Sequence, residues 1–555
     1  MKTKKNVLQR NVLKRFVKTS ALLICTTITL STLTACNFAG NYADNNASKP
    51  MNETTVEKKA ITPQAVNKTG KPNVIWVVLE DISLDLGAYG HPLVKTPNLD
   101  KIAKEGMRFN NAFATSSVCS TTRSAFFTGM HPTSIGAHHH RSHLTDNYQL
   151  PEQVKMLSEY TREAGYFNLL MGPKQKTDFN FATRVEPFDA MDGEIQYSGG
   201  AYTHGPVKGS ILNKPAWQKY LKQGQGKPFF AQINYSETHR TFINDVEDPI
   251  DVSLVKPPSY YPDHDIVKRD WALYLETVQH VDKKIGVLFN ELEQAGALEN
   301  TIVFIFGDHG RAMLRDKQWL YDGGIQVPLI AWGKGIEANT VNNDLVSLID
   351  LAPTSLSLIG EPVPAYMDGK VILGKDKITR EYIYAQRDRC DETDDRIRAV
   401  RDTQFKYIKN FKPEQPYTQF NAYKKLNYPV LTLMQKMHDA GELSPMQDQF
   451  FAKTRPIEEL YDIKNDPEET INLATNPKYQ SNLLRMRAEL ERWQLETKDL
   501  GMIDEDPKVI AYWDEFFEKH YTTQMALRGL STDISNEDYL IWWNNYLTSL
   551  EVAKN

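Results

Sequence analysis

Along this chain, continuous apolar runs alternate with stretches whose apolar positions recur every three to four residues. Val74–Leu79 (VIWVVL), Thr301–Phe306 (TIVFIF) and Val327–Trp332 (VPLIAW) are apolar almost throughout, as strands buried on both faces are. YFNLLM (166–171) and KPFFAQINYSETH (227–239) predict two more strands. Between them, residues 98–109 (NLDKIAKEGMRF), 151–165 (PEQVKMLSEYTREAG) and 269–296 (RDWALYLETVQHVDKKIGVLFNELEQAG) carry helical spacing, and the last two close at Gly165 and Gly296. This alternation predicts an α/β fold, a large and mostly parallel sheet sandwiched by helices, running to about residue 365.

The pattern then changes. RIRAVRDTQFKYIKNF (396–411) alternates with the strand period, IEELYDIKNDPEETINLA (457–474) predicts a turn-rich connection, and residues 475–555 predict helices. A smaller C-terminal α+β subdomain follows from this, a small antiparallel sheet plus helices. Trp493, Trp513, Trp542 and Trp543 stand on those helices, where packing is the simpler role and stacking on a sugar ring the functional one. The expected boundaries are 1–35 for a leader, 36–70 for a flexible tether poor in large apolar residues, 71–370 for a catalytic domain and 371–555 for the subdomain.

Composition changes this picture mainly at the N-terminus. Lys2, Lys4, Lys5, Arg10, Lys14, Arg15 and Lys18 precede an apolar stretch (ALLICTTITL) and then LTAC at 33–36, the layout of an export signal too short to span a membrane. LTAC resembles the bacterial lipoprotein box, which implies cleavage before Cys36 and lipid on its sulfur; a plain secretion signal is the alternative. Asn37 in place of Asp implies the outer membrane or cell surface, otherwise the periplasm. Removing residues 1–35 takes away seven positive charges and no negative ones, so the formal net charge goes from -5 to -12. A global basic field for nucleic acid is thereby excluded. Of four cysteines, Cys25 falls in the leader and Cys36 at the anchor, leaving Cys119 and Cys390, too few for a disulfide framework.

Two apolar strands end in acids, Glu80-Asp81 and Asp308-His309. Ligands gather beyond the carboxyl ends of strands in open α/β sheets, so these ends predict convergence on one hard cation, Ca²⁺ or Mg²⁺; ordinary turn or cap residues are the alternative. SSVCSTTRSAFFTG (116–129) reads as a helix that stops at glycine, with Cys119 at its N-terminus and Arg123 four residues on, on the same face. A thiolate nucleophile or a buried structural cysteine would each account for Cys119 but not for the neighbouring hard-cation ligands.

These motifs, in order over residues 72–335, resemble the type I sulfatases of the alkaline-phosphatase superfamily: KPNVIWVVLED, TPNLDKIAKEGMRFNNAFATSSVCSTTRSAFFTG, FGDHG and KQWLYDGGIQVPLI, with weaker similarity through RAVRDTQFKYI and ELYDIKNDPEETINLA. The resemblance implies that a maturase oxidises Cys119 to formylglycine. It also implies that Glu80, Asp81, Asp308 and His309 hold one Ca²⁺ with the modified residue 119. By the same resemblance Arg123 orients the aldehyde hydrate, Lys176 and Lys317 clamp the sulfate, and His239 protonates the leaving oxygen.

Departures from the family pattern are Thr121 where Pro or Ala is usual, Glu80 for Asp, His309 for Asn, and Lys176-Thr177-Asp178 for Lys-x-His, with Lys174 a rival to Lys176. GAHHHRSH is expected to supply a replacement imidazole among His138, His139, His140 and His143, with His139 catalytic and His138 substrate-binding; a solvated histidine-rich loop or a transition-metal patch is the alternative. Arg141 suits a second sulfate or a carboxylate, an ordinary surface salt bridge being the alternative. Arg387 and Arg389, in AQRDRCDETDDRIRAVR, are expected on a sugar-binding rim, a solvated loop and edge strand being the alternative. The expected function is hydrolysis of sulfate esters on a polysaccharide such as carrageenan, or on a glycosaminoglycan, by an exported lipoprotein. The alternatives are a phosphoester or phosphonate ester hydrolase and a non-catalytic sulfated-glycan-binding lipoprotein.

Overall fold

An extended run of apolar residues stays out of water only in a sheet covered on both faces, and Val74–Leu79 is placed so. In the computed structural model, which describes residues 69–171, 177–191 and 214–552, strand β1 (Asn73–Leu79) lies between two parallel neighbours. Ile75, Val77 and Leu79 enter one core, and Val74, Trp76 and Val78 the other, as a period of two dictates. The expected leader, the tether up to residue 68 and the lipid-bearing Cys36, together with Lys174 and Lys176, lie outside the described residues.

In chain order the next strands are β2 (Met107–Phe109), β3 (Ala112–Phe113), β4 (Phe167–Met171), β5 (Ala190–Met191), β6 (Phe229–Tyr235) and β7 (Thr301–Gly307). They are followed by β8 (Leu329–Gly333), β9 (Thr340–Asn342), β10 (Val346–Ser347), β11 (Ile383–Arg387), β12 (Ile397–Arg401), β13 (Phe405–Asn410) and β14 (Glu458–Asp462). The large sheet has the order β5-β4-β6-β1-β7-β8-β2-β9. Its first five strands are mutually parallel, whereas β8 runs antiparallel to both β7 and β2. The sheet is therefore mostly parallel, as expected, with VPLIAW reversed.

The long helix Asp265–Gln294 covers one face through Trp271, Tyr274, Val278, Val281, Ile285, Leu288 and Leu292, an i, i+3/i+4 stripe. On the other face Trp76 meets the rings of Phe126, Phe127, Phe230 and Phe306 edge-on at 5.3–6.1 Å. That cluster ties the helix Cys119–Thr128 to the centre of the sheet.

Two expectations are corrected. Residues 151–156 are not helical; the helix is Leu157–Glu163, and the Glu159 carboxylate accepts the Met156 N–H at 2.8 Å. The stretch after Ile457 is not only a connection: it opens with β14, which completes the antiparallel sheet β11-β12-β13-β14. Its alternation is short, with Leu460 in one core and Tyr461 in the other. Among the described residues no helix is long and apolar enough to cross a membrane.

Candidate active site

The register of the three central parallel strands builds the site. Leu79 pairs with both Tyr235 and Gly307, so β1, β6 and β7 end side by side. Glu80 N–H donates to Tyr235 O at 2.9 Å and Asp308 N–H to Leu79 O at 2.9 Å. The acids that follow are thus neighbours in space though far apart in the chain, and Asp81 N–H donates to Asp308 Oδ1 at 3.1 Å. Asp81 turns with φ 46°, a left-handed conformation that Asp tolerates better than most residues.

The helix Cys119–Thr128 begins at this edge and is buried along its whole length. Val118, its N-cap, offers no side-chain cap, and a helix N-terminus favours an anion. At the other end Gly129, φ 69°, donates to Ala125 O. Cys119 Sγ lies 3.1 Å from His309 Nε2, 3.7 Å from Asp81 Oδ1 and 3.9 Å from Lys317 Nζ. Lys317 Nζ donates to Asp81 Oδ2 at 2.6 Å. Arg123, fully buried, reaches Glu80 Oε1 and Asp308 Oδ2, each at 3.2 Å, and donates to Asn234 Oδ1 at 2.9 Å. The structure therefore brings Glu80, Asp81, Cys119, Arg123, Asp308, His309 and Lys317 into one buried group.

The electrostatics suit a cation. Among the described residues three buried carboxylates, Glu80, Asp81 and Asp308, face two cations, Arg123 and Lys317. Burial, with Asp308 and Glu80 nearby, holds the Asp81 carboxyl above its ordinary value against the pull of Lys317 and His309. Burial works against the charge of Lys317, but Asp81 and its neighbours outweigh it and hold that ammonium well above its usual value. His309 Nδ1 is 2.9 Å from Gly310 O, so in the Nδ1–H tautomer the ring donates there and turns the Nε2 lone pair inward. That lone pair meets Asp81 Oδ1 at 3.2 Å and Asp308 Oδ1 at 3.9 Å. Acceptors converging on acceptors in a dry site call for a positive ion between them, and the oxygen-rich set fits Ca²⁺ or Mg²⁺.

His239 adjoins the group. Its Nδ1 lies 3.0 Å from Arg240 O, and its ring stands 5.5 Å from that of Tyr423, which in turn is 5.0 Å from Lys317 Nζ. The Arg240 bond fixes Nδ1 as the donor, so Nε2 is the nitrogen able to exchange a proton.

The histidine run divides. His139 Nδ1 is 3.7 Å from Glu505 and its ring lies 4.3 Å from that of His138. Burial pushes both imidazoles down, His138 to about 3, with Arg398 close to each. Neither stands among the Cys119 group's contacts. His140 instead bonds Asp391, and Arg141 forks onto Asp178 at 3.1 and 3.2 Å; His143 is half-buried near that pair. The physical reason is the separate partners these side chains find: Glu505 for His139, Asp391 for His140 and Asp178 for Arg141.

AQRDRCDETDDRIRAVR is not solvated. Arg387, Asp388, Arg389, Asp391, Asp395 and Arg398 are all buried, because the mixed signs neutralise one another and distant acids. Arg389 commits its guanidinium to Glu505, Asp391 O and His140 O, so it clamps loops together rather than lining a rim. Arg387 packs over Trp319 at 4.4 Å and donates to Thr393 Oγ1. Cys119 and Cys390 are both free thiols.

Sequence reasoning missed Asn234, Gln318, Asp391 and Tyr423. Asn234 left a signal: Gln232 and Asn234 are polar at i, i+2 in an apolar strand, hence on one face, and they bond each other at 3.0 Å.

Comparison with known proteins agrees with this geometry. Residues 72–361 match the family model described as Sulfatase, and residues 307–449 match the N-sulphoglucosamine sulphohydrolase C-terminal model. The chain is 35% identical to an ulvan-active sulfatase of Formosa agariphila, over 80% of this chain and 78% of that protein. It is 26% identical to human N-sulphoglucosamine sulphohydrolase, over 77% and 90%. A solved 2-O GAG sulfatase superposes with TM-score 0.55 at 22% identity, over 79% of this chain and 96% of that one.

Proposed function

Because the chain belongs to the sulfatase family and is a sulfuric ester hydrolase acting on sulfated carbohydrate, we propose that its substrate is a sulfated algal polysaccharide of the ulvan kind and that it works through formylglycine at 119 beside Ca²⁺. The observation that carries the chemistry is the single buried group formed by Asp81, Asp308, His309, Lys317 and Cys119. The substrate class rests on the similarity to the ulvan-active relative, which extends past the catalytic motifs into the C-terminal sheet. Carrageenan and glycosaminoglycans are the less favoured carbohydrates.

Formylglycine at 119 would supply a hydrated aldehyde as the nucleophile, and Glu80, Asp81, Asp308 and His309 would hold Ca²⁺, which would supply charge stabilisation. The remaining work falls to the chain. Arg123, wedged between Glu80, Asp308 and Asn234, holds the hydrate end rigid. Lys317 sets a positive charge against the sulfate oxygens, and Lys176 is assigned the same task. His239, its Nδ1 committed to Arg240 O, hands a proton from Nε2 to the departing sugar oxygen, a step worth about 10²–10⁴-fold. Export and anchoring through Cys36 belong to the same proposal, since a tethered enzyme suits a polymer too large to import; Cys36→Ala would then move the protein from the membrane to the soluble fraction.

The test is sulfate release from ulvan oligosaccharides, set against carrageenan and glycosaminoglycan fragments and an aryl phosphate, by protein co-expressed with a maturase. Peptide mass spectrometry across residue 119 accompanies it. Expected are a carbonyl in place of the thiol and strongest activity on ulvan fragments. Full sulfatase activity with an intact Cys119 thiol would overturn the mechanism, and activity confined to the aryl phosphate would overturn the substrate class.

A further inference from the structure

Beside the buried group stands a histidine–carboxylate pair that the chemistry above leaves unused. His140 Nδ1 is 2.9 Å from Asp391 Oδ1. The other carboxylate oxygen, Asp391 Oδ2, accepts from Gln318 Nε2 at 3.3 Å and from Asn421 Nδ2 at 3.4 Å, so the Asp391 rotamer is fixed from two sides. The pair is pinned to the catalytic centre along two routes. Through Asp391 it joins Gln318, the residue after Lys317. Through Arg141, whose N–H donates to Asn180 Oδ1 at 2.8 Å, it joins Asn180, which donates to Thr121 Oγ1 at 3.1 Å in the first turn of the Cys119 helix. Arg141, Gln318 and Asp391 all hold positive φ, 57°, 73° and 54°; non-glycine residues adopt that conformation at a cost, and such residues gather at functional sites.

The imidazole's other nitrogen is not engaged. Among the described residues no hydrogen bond to His140 Nε2 is seen, and the His140 side chain keeps 9% of its surface exposed, so the ring is not wholly sealed. Burial first, then Arg141, pushes this histidine down to about 4, so the ring is neutral near pH 7. With Asp391 as acceptor the proton sits on Nδ1, and Nε2 presents a lone pair. Cys390 Sγ is 3.9 Å from the same Nδ1, but Gln318 directs an N–H at that sulfur at 3.2 Å. A donor aimed into the cluster favours a proton there over a metal ion.

We propose that His140, held by Asp391 as its Nδ1–H tautomer, accepts a hydrogen bond through Nε2 from a hydroxyl of the sugar that bears the scissile sulfate, and so helps to select that sugar. Asp391 is the positioning residue and acts through His140. The inference rests on the carbohydrate-sulfatase reading but not on ulvan itself. A site built to receive a hydroxyl discriminates through that bond, because a polar group left unpaired in a dry pocket is costly.

The experiment compares kcat/KM for matured wild type, His140→Ala and Asp391→Asn on two substrates. One is whichever sulfated oligosaccharide fraction, from ulvan, carrageenan or glycosaminoglycan, the wild type cleaves fastest; the other is 4-nitrophenyl sulfate, which has no sugar hydroxyl. The isosteric Asp391→Asn offers an amide N–H to Nδ1 and forces the opposite tautomer. Both variants are expected to lose about 10²-fold on the oligosaccharide and at least about tenfold less on the aryl sulfate. Equal losses on the two substrates, or full oligosaccharide activity in either variant, would overturn the proposal. Preference for a carrageenan or glycosaminoglycan fraction would instead remove the ulvan assignment and leave His140 tested on that fraction.

Discussion

Arg123 shows how much a single side chain carries at this site. It is completely buried, and its charge is kept by Asp308 and Glu80 against the cost of burial. Arg123→Lys keeps the charge but loses the planar fork that spans Glu80, Asp308 and Asn234. We expect kcat to fall by about 10²-fold or more, with formylglycine content, read by peptide mass spectrometry, close to wild type. Residues of this kind divide by legibility. Asp81, Asp308 and Cys119 could be read because each follows an apolar strand or opens a helix, so local pattern alone placed them at one edge. Gln318, Asp391 and Tyr423 could not. Two of them lie close in sequence to residues that could be read, Lys317 and Arg389, but no local pattern assigns Gln318, Asp391 or Tyr423 a role, and they reach the site only when the Lys317 loop, the segment after β11 and the helix Ala422–Asn427 close on it. The histidine run is the intermediate case: its relevance was visible, but the rings are placed by residues distant in sequence, Glu505 beside His139 and Asp391 beside His140.

Among the elements, the Asp316–Trp319 loop is held by close backbone approach. A Cβ on Gly324 would stand 2.2 Å from both Asp316 O and Trp319 O, and one on Gly310 would stand 2.0 Å from Gly323 O. These contacts are with main chain, which has little room to yield. Gly324→Ala should therefore displace Lys317 and Gln318 together, lowering kcat on every sulfate ester by about tenfold or more and stability by about 1–3 kcal/mol. Parallel assays on aryl and sugar sulfates check this, since the His140 variants separate those substrates and this one should not. Trp76 anchors the opposite side of the site. Trp76→Ala removes the ring on which Phe126, Phe127, Phe230 and Phe306 pack, and a loss of about 3–5 kcal/mol is expected in denaturant unfolding. The two strands that carry the acids, β1 and β7, were legible from unbroken apolar runs. The reversed direction of β8 and the existence of β14 were not, because direction is invisible to hydrophobic pattern and β14 is only five residues long.

Across the whole molecule, buried charge couples the C-terminal region to pH. Arg398, fully buried, lies between Asp388 at 3.0 Å and Asp499 at 2.7 Å. One guanidinium cannot neutralise two carboxylates, and burial, partly offset by Arg398, holds the Asp388 carboxyl up at about 7 from an ordinary 3.8. Between about pH 4 and pH 7 the folded chain thus carries a proton that the unfolded chain releases. Stability from this group is fully present below pH 4 and is lost as the pH rises through 7, at up to about 1.4 kcal/mol per pH unit. Asp388→Asn removes the titration while keeping the shape. Glu392, held up at about 8, and Glu469, at about 6, slope in the same direction and remain in the variant, so the informative quantity is the difference between the two proteins. Unfolding free energies at pH 5 and pH 8 should diverge, with Asp388→Asn losing less than wild type over that interval. Parallel profiles would mean that Asp388 is ionised throughout and that Arg398 alone suffices for both acids.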